Sequence, residues 1–272
     1  MKKFLSFLLL LAIIAGLAYY FLVLKGGPKN QTFTVNGVSF TMVGVKGGTF
    51  TMGVSPDQAS SLLLGNAATG AGSSVPAHQV TVSDFYIGET EVTQMLWNAV
   101  MGSIPGHFQG KPDHPVSGAT WNQCQAFIEK LNELTGKQFR MLTEAEWEFA
   151  ALGGNKSQGY KYAGSDNIDE VAWYFNNSFK DYCTRPVAYK KPNELGIYDM
   201  TGNVHEWCQD WYGVFPESSK TNPTGPPTGV RRVARGGGWD SKIDYCVIKY
   251  RYSAPPTFGS GHFGLRLALS MI

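Results

Sequence analysis

The sequence predicts an α+β domain, loop-rich, with few helices and short antiparallel strands, preceded by one N-terminal hydrophobic helix. Glycine (32) and proline (14) are abundant among 272 residues and only 16% are charged, the balance of a chain with many special turns. Several short runs alternate apolar and polar residues between turn signals, which is the period of a half-buried strand. Three further stretches carry helix caps. With 43% hydrophobic and 13% aromatic residues, the chain can bury a sizeable core.

Met1-Lys2-Lys3 precedes an uncharged, mostly apolar run over residues 4–24. At about 1.5 Å per residue this run matches a hydrocarbon core of roughly 30 Å. It reads as an export signal retained as a single-pass membrane anchor over residues 1–25, with a linker over 26–31 and the domain over 32–272. Gly16-Leu17-Ala18 offers a signal-peptidase site, so secretion after cleavage is the alternative. A short tail before the run and a large domain after it place the domain outside the cytoplasm, in the cell envelope. No cysteine follows the run, which excludes a bacterial lipoprotein anchor.

Residues 32–42 alternate on both sides of Asn36-Gly37, a strong hairpin signal. Gly47-Gly48 turns the chain into a strand over 49–53, and residues 56–75 read as a surface loop with at most one helical turn around 59–64. Alternation over 78–87 predicts one strand. A short helix then runs from Thr93 to Met101 and stops at Gly102. Thr120 caps the best helix, whose apolar face holds Trp121, Cys124, Phe127, Ile128, Leu131 and Leu134 before Gly136 stops it. Thr143-Glu-Ala-Glu146 is a capping box for a third helix, and capping accounts for its acids without an acid/base pair. Beyond Gly154 the chain is irregular, residues 221–229 form an exposed loop, and strand-and-loop segments over 232–239 and 263–269 close the domain.

Net charge is +2 and no Lys/Arg-rich run appears, which excludes nucleic acid as a partner. Cys124, Cys183, Cys208 and Cys246 stand far apart with no Cys-x-x-Cys pair, against a zinc site; in an exported chain one or two disulfides are open. Cys124 lies on the apolar helix face as a buried small hydrophobe.

Residues 192–211 pack a Gly-Asn turn, Asp199, Glu206 and two Trp into a span with neither helical nor strand period. Such backbone needs a holder other than a hydrogen-bond ladder. Either a hard cation bound by these acids serves, or a tight turn whose acids meet arginine and backbone N–H groups.

Several segments together resemble the formylglycine-generating enzyme or sulfatase-modifying-factor domain, a glycine-rich variant of the C-type lectin fold. They are Gly47-Gly-Thr-Phe-Thr-Met-Gly53, Ala77-His-Gln-Val-Thr-Val82, Glu91-Val-Thr-Gln94 and Pro115-Val-Ser with Trp121. Thr143-Glu-Ala-Glu-Trp-Glu148, Asn193 to Val204, Arg235-Gly-Gly and Gly264-Leu-Arg-Leu267 continue them in family order. The resemblance implies the fold, and implies Ca2+ held by Asp199, Gly202, Val204 and Glu206, the first and last through side chains. The family's second calcium site has no clear match around Ala172-Trp173.

The family's oxidases resemble a Cu(I)-thiolate machine with two cysteines five positions apart. Aligned on Arg235-Gly-Gly and Tyr245-Cys246, the second cysteine is Cys246 and the first falls on Ser241. The active-site Ser falls on Gly238 and the Trp on His205. A linear Cu(I) site needs both thiolates, so Cys246 is expected in the core or in a disulfide with Cys208, and copper only if an oxidase activity survives. The C-terminal segment mixes Trp239, Asp240, Ser241, Asp244, Tyr252, Ser253, Thr257, Phe258, Ser260, His262 and Phe263. Aromatics with small polar spacers suit an adaptable binding surface, and this one resembles the C-terminal region of retroelement-diversified variable proteins. The expectation is a ligand-binding or display protein that takes a protein or glycan through these loops. A sulfatase-activating oxidase and a structural component of a secretion or adhesion assembly are the alternatives.

Overall fold

The computed structural model describes residues 27–61, 74–106, 108–178, 180 and 182–271. The expected anchor over residues 1–25 lies outside these, and among the described residues no helix is long and apolar enough to cross a membrane.

The hairpin forms as β1 (Gln31–Val35) and β2 (Val38–Val45), in register from Gln31 opposite Met42 to Val35 opposite Val38. Asn36 and Gly37 turn it with φ of 46° and 80°, the left-handed values such a two-residue turn requires. β3 (Gly48–Met52) follows, and Gly47 before it must lack a Cβ, which would lie 2.3 Å from the Val82 carbonyl oxygen. The single strand expected over 78–87 is in fact two, β4 (His78–Val82) and β5 (Phe85–Gly88), in different sheets. The break falls at Ser83-Asp84, where the Asp84 carboxylate accepts the Gly47 N–H at 2.9 Å and Lys46 Nζ at 3.0 Å. An acid that looked like the polar half of an alternation instead ties a neighbouring turn. α1 (Pro56–Ser61) covers the start of the helical turn expected around 59–64, and residues 62–73 lie outside the described set.

The three capped helices are α2 (Gln94–Met101), α3 (Trp121–Thr135) and α4 (Glu144–Ala151). Thr93, Thr120 and Thr143 each accept the N–H three residues on, with full capping boxes at Thr120 and Thr143. On α3, Cys124, Phe127, Ile128 and Leu131 are buried as expected, but Leu134 in the last turn is 47% exposed and Trp121 only half-buried. β6 (Phe139–Met141) separates α3 from α4, and two single-turn helices, α5 (Ile168–Val171) and α6 (Phe175–Ser178), interrupt the irregular middle. The remaining strands are β7 (His205–Trp211), β8 (Lys220–Thr221), β9 (Arg232–Arg235), β10 (Tyr252–Ala254), β11 (Phe263–Gly264) and β12 (Leu267–Ser270).

The described residues build three sheets, ordered β1-β2-β5-β12-β6, β10-β9-β7-β11 and β3-β4-β8. Pairing is antiparallel except where β11 runs beside β7 and β8 beside β4. The closing run 263–269 is thus two strands in two sheets, and residues 265–266 tie one to the other. One apolar cluster fills the space between the five-stranded sheet and α2 and α3; a second surrounds α4.

All four cysteines are buried and free. Of the two places expected for Cys246, the core holds and the disulfide with Cys208 does not: Cys208 packs in the cluster around α4, Cys246 in a separate one with Tyr162 and Val247.

The acids of α4 do more than cap, which corrects the sequence reading. Glu144 takes Arg251 bidentately at 2.6 and 2.7 Å, and Glu148 takes Arg235 and Lys249 while accepting the Gly53 N–H at 2.9 Å. Arg235 and Arg251 are among the largest fully buried side chains. Burial alone would raise the Glu148 pKa, yet Lys249 and Arg235 bring it down to about 2. Its folded value lies below its unfolded value, so the stability it contributes is present above pH 4.5 and is lost as pH falls through 2. Acid titration of stability should therefore show a loss on the order of 3 kcal/mol across this window, and Glu148→Gln should flatten that slope. An unchanged slope in the variant would show that other carboxylates carry the acid lability.

Candidate functional site

β7 carries the site because its side chains alternate between two neighbourhoods. Trp207 stacks on Phe263 with centroids 4.7 Å apart and donates its indole N–H to the Ala119 carbonyl. Glu206 points the other way and accepts Arg266 Nη2 at 2.6 Å, Arg266 Nε at 2.9 Å and the Trp147 indole N–H at 2.6 Å. Both of its oxygens are therefore engaged inside the protein.

Just before β7 the chain is left-handed at Asp199 (φ 57°), Gly202 (83°) and Asn203 (60°). Gly202 is required there, because a Cβ would stand 2.2 Å from the Trp173 carbonyl oxygen. Asn203 spends its amide on Glu91 at 2.8 Å, and Glu91 also accepts the Val204 N–H at 3.0 Å. Asp199 Oδ2 accepts the Ala188 N–H at 2.7 Å, while its buried Oδ1 has no partner among the described residues. Glu91, Asp199 and Glu206 are all buried; Arg266 faces all three, and Lys190 also acts on Asp199. Burial, then Asp199 and Glu206, push the Glu91 pKa well above the usual carboxylate range, and burial raises Asp199 to about 6.

Ca2+ fits part of this arrangement. The surplus of buried acid and the unpartnered Asp199 Oδ1 suit a hard cation. Glu206, expected as a ligand, is held by Arg266 and Trp147, and the other carboxylate of the cluster is Glu91. Glu91 was not among the expected residues, although it stands in a segment that carried the resemblance. Of the two readings of residues 192–211, the turn whose acids meet arginine and backbone N–H groups describes Glu206 and Asp199 Oδ2, and Asp199 Oδ1 alone is left without a partner among the described residues.

Copper does not fit. Ser241 Oγ accepts the Gly238 N–H at 2.9 Å and lies 3.4 Å from His205 Nε2. Cys246 is buried, and burial with the nearby Asp240 and Asp244 pushes its thiol up to about 12. A hydroxyl and an un-ionised thiol do not make the paired thiolates that Cu(I) requires.

The C-terminal residues converge around His205. Its ring stacks on Phe263 and lies against Tyr252 and His262, at centroid distances of 5.3, 5.1 and 5.9 Å. Burial lowers its pKa to about 3, so the ring is neutral. His262 Nδ1 pairs with Asp240 Oδ2 at 3.1 Å and lies 3.4 Å from Ser260 Oγ. Trp239 is mostly buried, donates to the Gly261 carbonyl and meets Phe108 edge-on. Thr257 is exposed, Asp244 and Ser260 are half-buried, and Phe258 stands exposed with its ring edge-on to Phe263. Phe263 and Ser253 correct the expectation of a surface role: Phe263 is 0% exposed, and Ser253 is buried with Arg231 bound to its hydroxyl. They form the support beneath the surface. Phe175, Ile243 and Tyr245 extend the exposed apolar rim, and Phe175 is held there by its N–H to the Ser241 carbonyl. Isolated aromatics in irregular segments carry no periodic signal, which is why sequence reasoning missed them.

Residues 29–271 match the model of the sulfatase-modifying factor enzyme 1-like domain. The chain belongs to this family. It is 37% identical over 237 residues to the chaperone protein LppX of Paenibacillus barcinonensis, covering 70% of this chain and 81% of that one. To the formylglycine-generating enzyme of Streptomyces coelicolor it is 37% identical over 176 residues, covering 58% of this chain and 54% of the enzyme, so it spans about half the enzyme's length. Treponema denticola variable protein 1 superposes with a TM-score of 0.78 at 32% identity, over 89% of this chain and 99% of that one. PvdO from Pseudomonas aeruginosa, at 24% identity and a TM-score of 0.68, shares the fold. The α+β, sheet-rich architecture with few helices is that of this family.

Replacing Arg266 by Met should cost about 3–5 kcal/mol, because Glu206 is then left charged and unpaired in the core. Adding Glu206→Leu to that variant should restore much of the loss in urea unfolding. A double variant no more stable than Arg266→Met alone would show that the pair is not the source of the cost.

Proposed function

We propose that this family member is anchored in the cell envelope and holds a ligand outside the cytoplasm with its C-terminal loops, on a domain stabilised by Ca2+. The observation that carries the reading is the rim around Ser241 and His205. Phe175, Ile243, Tyr245 and Phe258 are exposed there beside the Asp240–His262 pair. Large rings with small polar spacers on a rigid support suit a surface that adapts to a macromolecule. Between a protein and a glycan we favour a protein, since the Paenibacillus relative is named a chaperone protein and a chaperone's ligand is a polypeptide. Asp199, with the Gly202 and Val204 carbonyls, would hold the cation; Glu91 and Glu206 supply negative charge beside it. When bound, the ion neutralises buried acid and fixes the turn that leads into β7. Arg266 holds the Glu206 side and Asn203 the Glu91 side.

Peptides selected from a random displayed library on the immobilised domain should bind at least tenfold more weakly to Phe258→Ala and to Tyr245→Ala, with melting temperatures close to the parent. Selected peptides that bind both variants equally would remove the loops from the function. Aerobic incubation with copper and a Cys-x-Pro-x-Arg peptide should give no aldehyde; aldehyde abolished by Cys246→Ser would favour the oxidase. Co-purification of a fixed set of envelope proteins, with no free ligand bound, would favour the structural role. For the cation, removing Ca2+ with a chelator should lower the melting temperature, since an ion bound to the folded state stabilises it by mass action. Asp199→Asn should abolish that difference, and a chelator-independent melt in the parent would dismiss the ion.

A further inference from the structure

The far end of β7 faces a different space. Five residues beyond His205, roughly 17 Å at the rise of a strand, Asp210 lines a cavity of about 440 Å³ that the proposed ligand surface does not use. Trp211, Val214, Phe215, Pro223 and Pro226 give it apolar walls, with Arg251 also in its lining. The guanidinium is already satisfied: it takes Glu144 with two nitrogens, donates to the Gly213 carbonyl at 3.0 Å and stacks on Phe215 at 3.8 Å. Asp210 is not. Its Oδ2 accepts the Glu144 N–H at 2.9 Å, and its Oδ1 makes no hydrogen bond among the described residues, although the residue is only 4% exposed. Gly225 (φ 74°) lies over it where a Cβ would come within 2.9 Å of Asp210 Cβ, so the 213–226 loop closes down on the acid only because that residue is glycine. Arg232 is engaged between Trp121 and Trp211 and donates to the Gln209 carbonyl; neither it nor the exposed Lys220 forms an ion pair with Asp210 among the described residues.

We propose that this cavity binds an organic ammonium group carried on a short apolar chain, with Asp210 Oδ1 accepting its N–H. Once Arg251 and Glu144 are set against each other, Asp210 is the acid left in the cavity without a paired cation. The walls remove water from a chain of methylenes, worth roughly a fourfold gain in affinity for each one buried. An anion would find no free cation there, since Arg251 is already committed to Glu144. Burial and Glu144, with a smaller part from Glu146, push the Asp210 pKa up to about 8 against the pull of Arg251. The acid is therefore protonated in the empty cavity at neutral pH, and an arriving ammonium displaces that proton to solvent as the ion pair forms.

The probes are n-butylammonium, methylammonium and 1-butanol, titrated calorimetrically into the full domain at pH 7 in buffers of different ionisation enthalpy. Butylammonium should bind about tenfold or more tightly than butanol, in line with a hydrogen bond to a charged group, more tightly than methylammonium, and with release of up to one proton. Asp210→Asn, which keeps the acceptor for Glu144, should lose at least tenfold in affinity; Phe258→Ala, in the other surface, should lose nothing. Butanol binding as well as butylammonium, binding without proton release, or no binding at all would overturn the proposal, and these arms need no variant to fold. An acetylated Gly-Lys-Gly amide that competes with butylammonium identifies a lysine side chain as the source; a peptide that fails to compete while butylammonium binds identifies a free amine.

Discussion

The pairing of Arg266 with Glu206 is the constraint on which the rest of the structure depends. One guanidinium donates to Glu206, to the Gly88 carbonyl at the end of β5 and to the Tyr198 carbonyl ahead of β7, and Glu206 in turn accepts the Trp147 indole of α4. Four segments far apart in the chain meet at two side chains. Both are fully buried, so an ion pair with every donor and acceptor satisfied is tolerable where a lone charge is not. Arg235 with Glu148 and Arg251 with Glu144 add two more buried pairs along α4, with Arg235 Nε left without a partner among the described residues. In a chain this rich in loops, such cross-links do what continuous strands do elsewhere: they fix irregular backbone that no ladder holds.

The same network explains why the segments that carried the family resemblance contain the residues they do. Glu144, Glu148 and Trp147 of α4, Arg235 of β9 and Arg266 beside β12 stand in those segments, and Glu206 of β7 and Arg251, outside them, complete one set of contacts. Their roles were not legible from any of them alone. The partners are 60, 87 and 107 residues apart, and nothing local to a glutamate tells a cap from the buried end of a salt bridge. Caps are different. Thr120 and Thr143 bond to amides three residues away, and the Asn36-Gly37 turn acts on its own two strands, so those features could be read before any tertiary contact was known.

The failures of the sequence reading have the same origin. Asp84 looked like the polar half of an alternation, and its real partner is Gly47, 37 residues back. Leu134 continues the apolar period of α3 after the core has ended. Cys246 was expected in the core or in a disulfide with Cys208 because the copper site lacks its second cysteine, and the fold assigns the two to separate apolar clusters. At the acidic turn, composition supplied Asp199 and Glu206 but could not say that Arg266 takes the second, nor that Glu91 comes in from a segment 113 residues earlier to meet Val204.

This division also sets what the surface can do. His205, Phe263 and Ser253 are locked by stacking and burial, so the platform under the C-terminal loops is as fixed as the core itself. Thr257, Phe258, Ile243 and Tyr245 stand above it with exposed faces, and exposed substitutions away from special backbone typically change stability by no more than about 0.5 kcal/mol. A fold that concentrates its specificity of structure in a few buried ion pairs leaves its outer residues free to change with little effect on folding. What makes such substitutions tolerable lies beneath the surface, in Arg266 and the side chains it gathers, and Treponema denticola variable protein 1 shares this fold over nearly its whole length.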